Sequence, residues 1–92
     1  MALTSAEFQS YDFDRMLVLF TMTNDRTKVP CAVSTDAMDH IEGTSGTRSG
    51  QREQQFLRLR ERIEQQAEQK FSKAELEGTP PGIILRGIDF RK

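Results

Sequence analysis

The longest regular pattern of apolar and polar positions lies between Gln51 and Phe71 and has the period of an α-helix. This stretch contains no Gly or Pro and is rich in residues with high helix propensity, so we predict a helix over 51–71. Its apolar residues recur at steps of three or four and form one stripe: Phe56, Leu59, Ile63, Ala67 and Phe71. Such a stripe predicts that one side of the helix packs on another element.

A pattern of period two earlier in the chain predicts a β-hairpin over residues 15–34. Arg15–Thr23 alternates between two faces, Asn24–Thr27 supplies turn residues, and Lys28–Ser34 forms the return strand. Pro30 has no backbone N–H, which favours an edge strand or an unpaired position facing outward. The face predicted to lie under the long helix carries Met16, Val18, Phe20, Val29, Cys31 and Val33.

The remaining segments are shorter, and their patterns are weaker. Residues 1–14 show no clean period and are expected to form a loosely held arm. Residues 35–42 are predicted to form a short helix that Ser34 or Thr35 caps and Gly43 ends. Residues 43–50 are small and polar, which predicts a flexible loop before the long helix, with Gly50 or Ser49 as its cap.

After the long helix, two further elements are expected. Ser72 and Glu75 have the spacing of a capping box, which predicts one more helical turn that ends at Gly78. The Pro-Pro turn at 79–82 then stops the helix, and residues 83–90 supply a last strand and tail, of which Ile88 and Phe90 are expected to follow the sheet edge.

Together these elements predict a single α+β domain over residues 1–92. The predicted order is β-β-α-α-β, with a small antiparallel sheet of two to three strands covered on one face by the long helix. A chain of 92 residues has room for one small core, so a partner chain would add useful stability.

Charge and composition exclude several classes of protein. The net charge is −1 and the pI is about 5.8, which predicts no general attraction to nucleic acid or to anionic membranes. No apolar run is long enough to span a membrane, and the acidic start of the chain does not resemble a secretory signal. The single cysteine, Cys31, leaves no internal disulfide, so a cytoplasmic location is expected.

Candidate chemistry is sparse along this chain. Cys31 lies in the middle of a predicted strand between two valines and is expected to be a buried apolar residue. Asp36 and His40 are one helical turn apart and could supply two metal ligands, but no third ligand is evident. The sequence contains no Ser–His–acid catalytic triad, no ligand spacing of a zinc site and no nucleotide-binding motif. Neither an enzyme nor a bound metal or cofactor is therefore expected.

The angular position of Arg60 on the predicted helix places it inside the apolar stripe, between Ala67 and Phe71. A guanidinium there must find a carboxylate or reach solvent, because an unpaired buried charge is costly. It could form an internal ion pair, or it could meet an anionic ligand or a partner's carboxylate. We predict that Arg60→Leu keeps the fold. Arg60, with Asp36 and His40, is therefore a candidate contact for an anion or a partner.

A resemblance to a known family rests on the order and spacing of several short motifs. They are Val18-Leu19-Phe20, Cys31-Ala32-Val33-Ser34 and Asp36-Ala37-Met38, then Phe56, Arg60, Ile63 and Ala67 in the long helix, Lys70-Phe71 at its end, and Ile84-Leu85 in the last strand. From Phe8 to Asp89 the chain resembles a family of short bacterial proteins known as domain of unknown function 1488 (DUF1488).

The resemblance implies an α+β fold and a bacterial cytoplasmic origin, and it implies no activity. It also implies that Arg60 stands where the helix pattern of the family has an arginine. The chain departs from the family pattern in a longer loop at 43–50 and in the Pro-Pro turn at 79–82.

For function, the sequence favours a small interaction module that pairs with itself as a homodimer or with another protein. A hairpin edge or a spare apolar face would serve, and Leu57 and the Leu17/Leu19 face lie outside the predicted core. Nucleic acid is not expected as a partner, although a nucleic-acid-associated regulator using the arginines of the long helix is one alternative. A small-anion-binding protein centred on Arg60 is another.

Overall fold

The computed structural model describes residues 3–24, 26–43, 48–77 and 82–90, which form a four-stranded sheet with two helices. The elements in chain order are β1 (Thr4–Asp12), β2 (Leu17–Asn24), β3 (Thr27–Ser34), α1 (Thr35–Glu42), a 3-10 turn (Ser49–Gln51), α2 (Arg52–Ser72), β4 (Ile83–Leu85) and a second 3-10 turn (Gly87–Phe90). The α+β class is confirmed.

The sheet is larger than predicted and mixed rather than antiparallel. Its strand order is β1-β2-β3-β4, with β1, β2 and β3 antiparallel and β4 parallel to β3. The prediction of two to three antiparallel strands is therefore wrong in number and in the direction of β4. The parallel pair arises because the chain leaves β3, passes through both helices and returns in the same direction, as a crossover connection requires.

The predicted loose arm is wrong, because residues 4–12 form edge strand β1. Four residues of the predicted arm lie against the core, three of them in β1: Leu3, Ala6, Phe8 and Tyr11. Their spacing is not the two-residue period of a regular strand, because the pairing with β2 shifts between Thr4 and Glu7 and again between Phe8 and Ser10. Each bulge adds a residue and turns the following side chains over.

The β2–β3 hairpin is confirmed, with Asn24 paired with Thr27 at its turn. The predicted strand start at Arg15 is wrong, because Met16 has a φ of 56° and lies in the turn before β2. Met16 is 48% exposed and so does not belong to the core. The edge-strand interpretation of Pro30 is also wrong, since β3 lies between β2 and β4.

Gly82 fixes the approach of the last strand to β3. A Cβ atom at Gly82 would lie 2.2 Å from the carbonyl oxygen of Pro30, a distance that no side chain tolerates. The residue also pairs with Glu77, each backbone N–H donating to the other's carbonyl at 2.8 Å. Gly82 therefore lets the chain pass close to Pro30 and enter β4.

The two helices begin and end close to the predicted residues. Ser34 caps α1, because its Oγ accepts the Ala37 N–H at 3.0 Å, and Gly43 ends α1 with a φ of 68°. Helix α2 begins after Gln51, which makes no side-chain capping bond, so neither Ser49 nor Gly50 is its cap. Residues 44–47 of the predicted loop lie outside the described residues.

The predicted extra helical turn at 72–78 is wrong. Ala74 adopts a φ of 57°, and its N–H donates to the Phe71 carbonyl while the Glu75 N–H donates to the Lys70 carbonyl. These bonds end α2 and turn the chain away, and Gly78 lies outside the described residues. Ile88 and Phe90 do not continue the sheet edge either, since Gly87–Phe90 forms a 3-10 turn with Ile88 73% exposed.

The core lies between the sheet and α2, as the stripe on the long helix predicts. Phe56, Ile63 and Ala67 are fully buried, and the Phe56 ring lies 5.1 Å from the Phe20 ring and 6.1 Å from the Phe8 ring, measured between centroids. The sheet contributes Val18, Phe20, Met22, Val29, Cys31, Val33, Ile83 and Leu85, and α1 contributes Ala37 and Met38. Both helices thus bury one and the same face of the sheet.

Among the described residues, no helix has the length and apolar character that crossing a bilayer requires.

Candidate interaction surface

Arg60 lies on the surface rather than inside the apolar stripe. Its guanidinium is 45% exposed and its Nε donates to Glu64 Oε2 at 3.2 Å, one turn along the helix. At about 100° per residue, Arg60 is rotated about 60° from Ile63, so it stands at the margin of the buried side. The placement of Arg60 inside the stripe is therefore wrong. Arg60 and Glu64 form an ion pair on the protein surface.

Asp36 and His40 both lie on the exposed side of α1. Among the described residues, the hydrogen bonds and ion pairs join neither of them to Arg60, and they do not join Asp36 to His40. The described part of the chain also holds no group of three or more residues that could bind a metal ion. The three predicted contact residues therefore do not form one site.

A buried polar cluster that the sequence did not predict joins α1 to α2. Arg52, only 5% exposed, donates from NH1 to Asp39 Oδ1 at 2.8 Å and to Gln55 Oε1 at 2.6 Å. Gln55 in turn donates from Nε2 to Asp39 at 2.9 Å and to Glu42 at 3.1 Å. Arg58 extends the cluster to the surface, and its hydrogen bonds to Glu42 lower the pKa of that carboxyl.

A second buried cation joins the end of α2 to the last strand. Lys70 Nζ donates to the Ile84 carbonyl at 2.9 Å and to Asp89 Oδ2 at 3.3 Å. Nearby, Arg86 forms a two-point pair with Glu77 at 2.8 and 3.0 Å, which lowers the pKa of the Glu77 carboxyl. This group anchors β4 and the turn that follows it to the helix.

A signal in the sequence could have found both buried cations. Arg52 and Lys70 each lie about 20° from Ile63 on a helical projection, closer to the centre of the buried side than Arg60 at about 60°. The apolar stripe thus begins and ends in a basic residue. The carboxylate partners of Arg52 and Lys70, which are Asp39 and Asp89, come from α1 and from the last turn, and nothing in the spacing within α2 identifies them.

Cys31 is buried, as predicted, between β2 and β4. Its thiol donates to the Val29 carbonyl at 3.4 Å, and burial raises its pKa to about 12. A thiol with such a pKa is protonated at neutral pH and is a poor nucleophile. The side chain therefore serves as a small apolar residue of the core.

The outer edge of the sheet is covered by carboxylates of the long helix. Glu64 Oε2 accepts the backbone N–H of Ala6 at 2.9 Å, and Glu68 Oε2 accepts that of Leu3. Edge strands offer such N–H groups as a template for another strand. Because Glu64 and Glu68 already occupy these donors, this part of β1 is poorly suited to pairing with a second chain.

The face of the sheet that turns away from the helices carries several apolar side chains. This open face includes Leu17, Leu19, Thr21, Pro30, Ala32 and Ile84. Leu19, Ala32 and Ile84 lie in one row across β2, β3 and β4, and none of them belongs to the core cluster. Leu17, Leu19 and Ile84 remain partly exposed, whereas Ala32, between its neighbours in the row, is buried.

The outer side of α2 offers a second, more polar surface. A groove of about 520 Å³ is lined by Leu57, Arg58, Arg60, Glu61 and Glu64. Leu57 is 51% exposed there, but Arg58 and Arg60 are engaged with carboxylates of the same chain. The apolar content of this groove is one leucine, compared with the row of three apolar side chains on the open face.

Comparisons with known proteins agree on one family. The family model described as "Protein of unknown function (DUF1488)" matches residues 5–81. A crystal structure of a protein of unknown function from the DUF1488 family of Shewanella loihica PV-4 has the same fold, with a TM-score of 0.72 and 20% sequence identity, over 89% of this chain and 93% of that one. No curated protein matches the chain.

Proposed function

The chain belongs to the DUF1488 family of proteins of unknown function, and we propose that it acts as a non-enzymatic interaction module whose open face binds a protein chain. The observation that carries the proposal is the row formed by Leu19, Ala32 and Ile84, which lies on the face of the sheet opposite the core cluster and keeps Leu19 and Ile84 partly exposed. Burying such a row against a partner removes apolar surface from water, which is the main driving force of protein association.

The residues around this row have the arrangement of a binding surface. Thr21 and Pro30 flank it on one side, and Leu17 lies on the other, whereas Ser10 and Ser34 stand at the margin. Protein interfaces commonly combine an apolar centre with a polar rim. The row crosses three strands of a hydrogen-bonded sheet, so the backbone that carries these side chains is already ordered before a partner binds. This lowers the entropic cost of binding.

The state of the reactive side chains supports a role without chemistry. The thiol of Cys31 is buried with a high pKa, and the buried cations Arg52 and Lys70 each lie against a carboxylate of the same chain. Two of the exposed arginines of α2 that nucleic acid or a small anion would contact are similarly engaged, Arg58 with Glu42 and Arg60 with Glu64. Nucleic-acid and anion binding would have to break these pairs first.

Photo-crosslinking in cells tests the proposal. Thr21 is replaced by benzoylphenylalanine on the open face, and the matched control carries the same residue in place of Gln65, which is exposed on α2. We expect irradiation to crosslink the chain with benzoylphenylalanine at position 21 to another protein chain, which mass spectrometry then identifies. The chain with benzoylphenylalanine at position 65 should not form this crosslink. Adding Leu19→Glu to the Thr21 variant should reduce the adduct at least about 10-fold, because a carboxylate in an apolar contact loses its hydration.

Leu57→Glu is the control for that second substitution, since it places the same charge on an exposed leucine of the opposite side. The adduct should persist in this variant. Adducts that form only from position 65, or none from position 21, would overturn the proposal.

A further inference from the structure

We infer that the partner of the open face is a second copy of this chain, packed sheet against sheet about a twofold axis. The inference rests on the proposed function and names the occupant of its surface. Homodimers with one twofold axis are the commonest oligomers, and their interface pairs one patch with itself. The patch must therefore be self-complementary in shape and in charge.

The charges on the margin of the open face meet this requirement. Glu7 on β1 pairs in register with Thr21 of β2, and Lys28 on β3 pairs with Thr23 of β2. The two charged residues thus lie on opposite sides of β2 and two residues apart along the strands. Both are exposed, and neither forms an ion pair with any residue that the structure describes.

A twofold axis along β2 brings these charges together. It lays β1 of one copy over β3 of the other, so that each Glu7 stands close to a Lys28 of the second copy, twice per dimer. Packed sheets are about 10 Å apart, a gap that a glutamate and a lysine side chain span together. The same operation places Leu19 of both copies at the centre, where their apolar surfaces meet.

The size of the face fits a weak dimer. About the β2 axis, three strands of each copy overlap, because β4 lies beyond β1 of the second copy. Three strands spaced about 4.8 Å apart are about 14 Å wide, and strands of eight residues are about 26 Å long. The flat footprint is therefore about 370 Å² per copy, or about 750 Å² in total, which is the size of a weak interface. The pleat and the side chains add to this area.

Other ways of joining two copies are less favourable. The Leu3–Ala6 part of the β1 edge has its N–H groups occupied by Glu64 and Glu68, and the opposite edge, β4, is only three residues long. A single small core also gains more from a buried second face than from an edge contact, because small chains bury a low fraction of their surface. Face-to-face packing is thus the mode that this molecule offers.

Sedimentation velocity on the purified chain, from about 1 µM to about 1 mM, tests the inference. We expect a monomer–dimer equilibrium whose dissociation constant rises at least about 100-fold in Leu19→Glu, since each dimer then buries two carboxylates. Leu57→Glu should leave the dissociation constant within about 3-fold of that of the unchanged chain. Circular dichroism confirms that each variant is folded, and Thr21→Arg, on the same face, serves as a second test if Leu19→Glu unfolds.

Charge reversal tests the orientation of the two copies. Glu7→Lys and Lys28→Glu should each raise the dissociation constant of the dimer about 10-fold. In the double variant the ion pairs form again with reversed sign, so its dissociation constant should return to within about 3-fold of that of the unchanged chain. A double variant weaker than either single one would overturn the twofold arrangement.

The outcomes separate this inference from the proposed function. A chain that stays monomeric up to 1 mM, while the Thr21 crosslinker still captures a different protein, overturns the homodimer and supports the module. A dimer that survives Leu19→Glu and Thr21→Arg overturns the homodimer through the open face. Crosslinks from position 65 alone would overturn the proposed function as well.

Discussion

The two faces of the same sheet differ sharply, although they alternate along the same strands. On the covered face Val18, Phe20 and Met22 are almost completely buried under α2. On the open face their immediate neighbours, Leu17 and Leu19, remain partly exposed. The difference shows that one short hairpin supplies two separate surfaces, and that only the covered face is buried in the core. The second surface carries apolar side chains that folding leaves partly exposed, and we propose that it serves association.

The charged residues follow the same division. Between the helices that cover the sheet, Arg52 is buried and held by Asp39 and Gln55. On the outer side of α2, Arg58 and Arg60 are exposed and each forms one ion pair. Removing a partner from a buried polar group is costly, whereas exposed pairs contribute little. The covering layer therefore depends on a few specific side chains, and the outer surfaces do not.

The largest expected effect comes from truncating a side chain on the covered face. Phe56→Ala removes a fully buried ring that contacts Phe8 and Phe20, and it should lower the free energy of unfolding by about 3–5 kcal/mol. Leu19→Ala on the open face should cost less than about 1 kcal/mol at protein concentrations where the chain is monomeric. Urea denaturation measures both, and equal losses would show that the two faces are equally important to folding.

A smaller effect is expected from the polar groups between the helices. Arg52→Ala leaves Asp39 and Gln55 without their cation and should cost about 2–4 kcal/mol, discounted for the partial exposure of Asp39. Arg58→Ala, which breaks an exposed pair with Glu42, should lower the melting temperature much less than Arg52→Ala does. Thermal denaturation of both variants checks the difference. A costlier Arg58→Ala would contradict the distinction between buried and exposed cations.

The smallest effect is expected at Arg60. Arg60→Leu should keep the fold and change the free energy of unfolding by no more than about 1 kcal/mol, because the side chain is exposed and Glu64 still accepts the Ala6 N–H. The matched control is Arg62→Leu, at another exposed arginine of α2. Loss of the cooperative melt in Arg60→Leu alone would refute this expectation.

Local patterns predicted the hairpin and both helices, because a single physical rule governs each. The period of two in β2 and β3, the Ser34 cap and the glycine at 43, and the stripe Phe56–Ile63–Ala67 all act within a few residues. The interior of the domain follows from these patterns, since the apolar side of the helix and the apolar side of the hairpin must meet.

The features that escaped prediction depend on residues far apart in sequence. β1 was missed because its two bulges break the alternation of Ala6, Phe8 and Tyr11. The burial of Arg52 was missed because its carboxylate partner Asp39 belongs to another helix. The parallel direction of β4 is set by the crossover, not by its own three residues. The candidate surface was anticipated at Leu17 and Leu19, whereas its continuation through Ala32 to Ile84 required the strand order.

The parallel strand β4 also determines the order in which the chain can fold. It pairs with Cys31–Val33, from which both helices separate it along the chain, so closing this long loop costs entropy before any of its hydrogen bonds form. The β1–β2–β3 meander closes through short turns instead. Folding should accordingly nucleate in the meander and finish at β4, and amide hydrogens of Ile83–Leu85 should exchange with solvent earlier than those of β2.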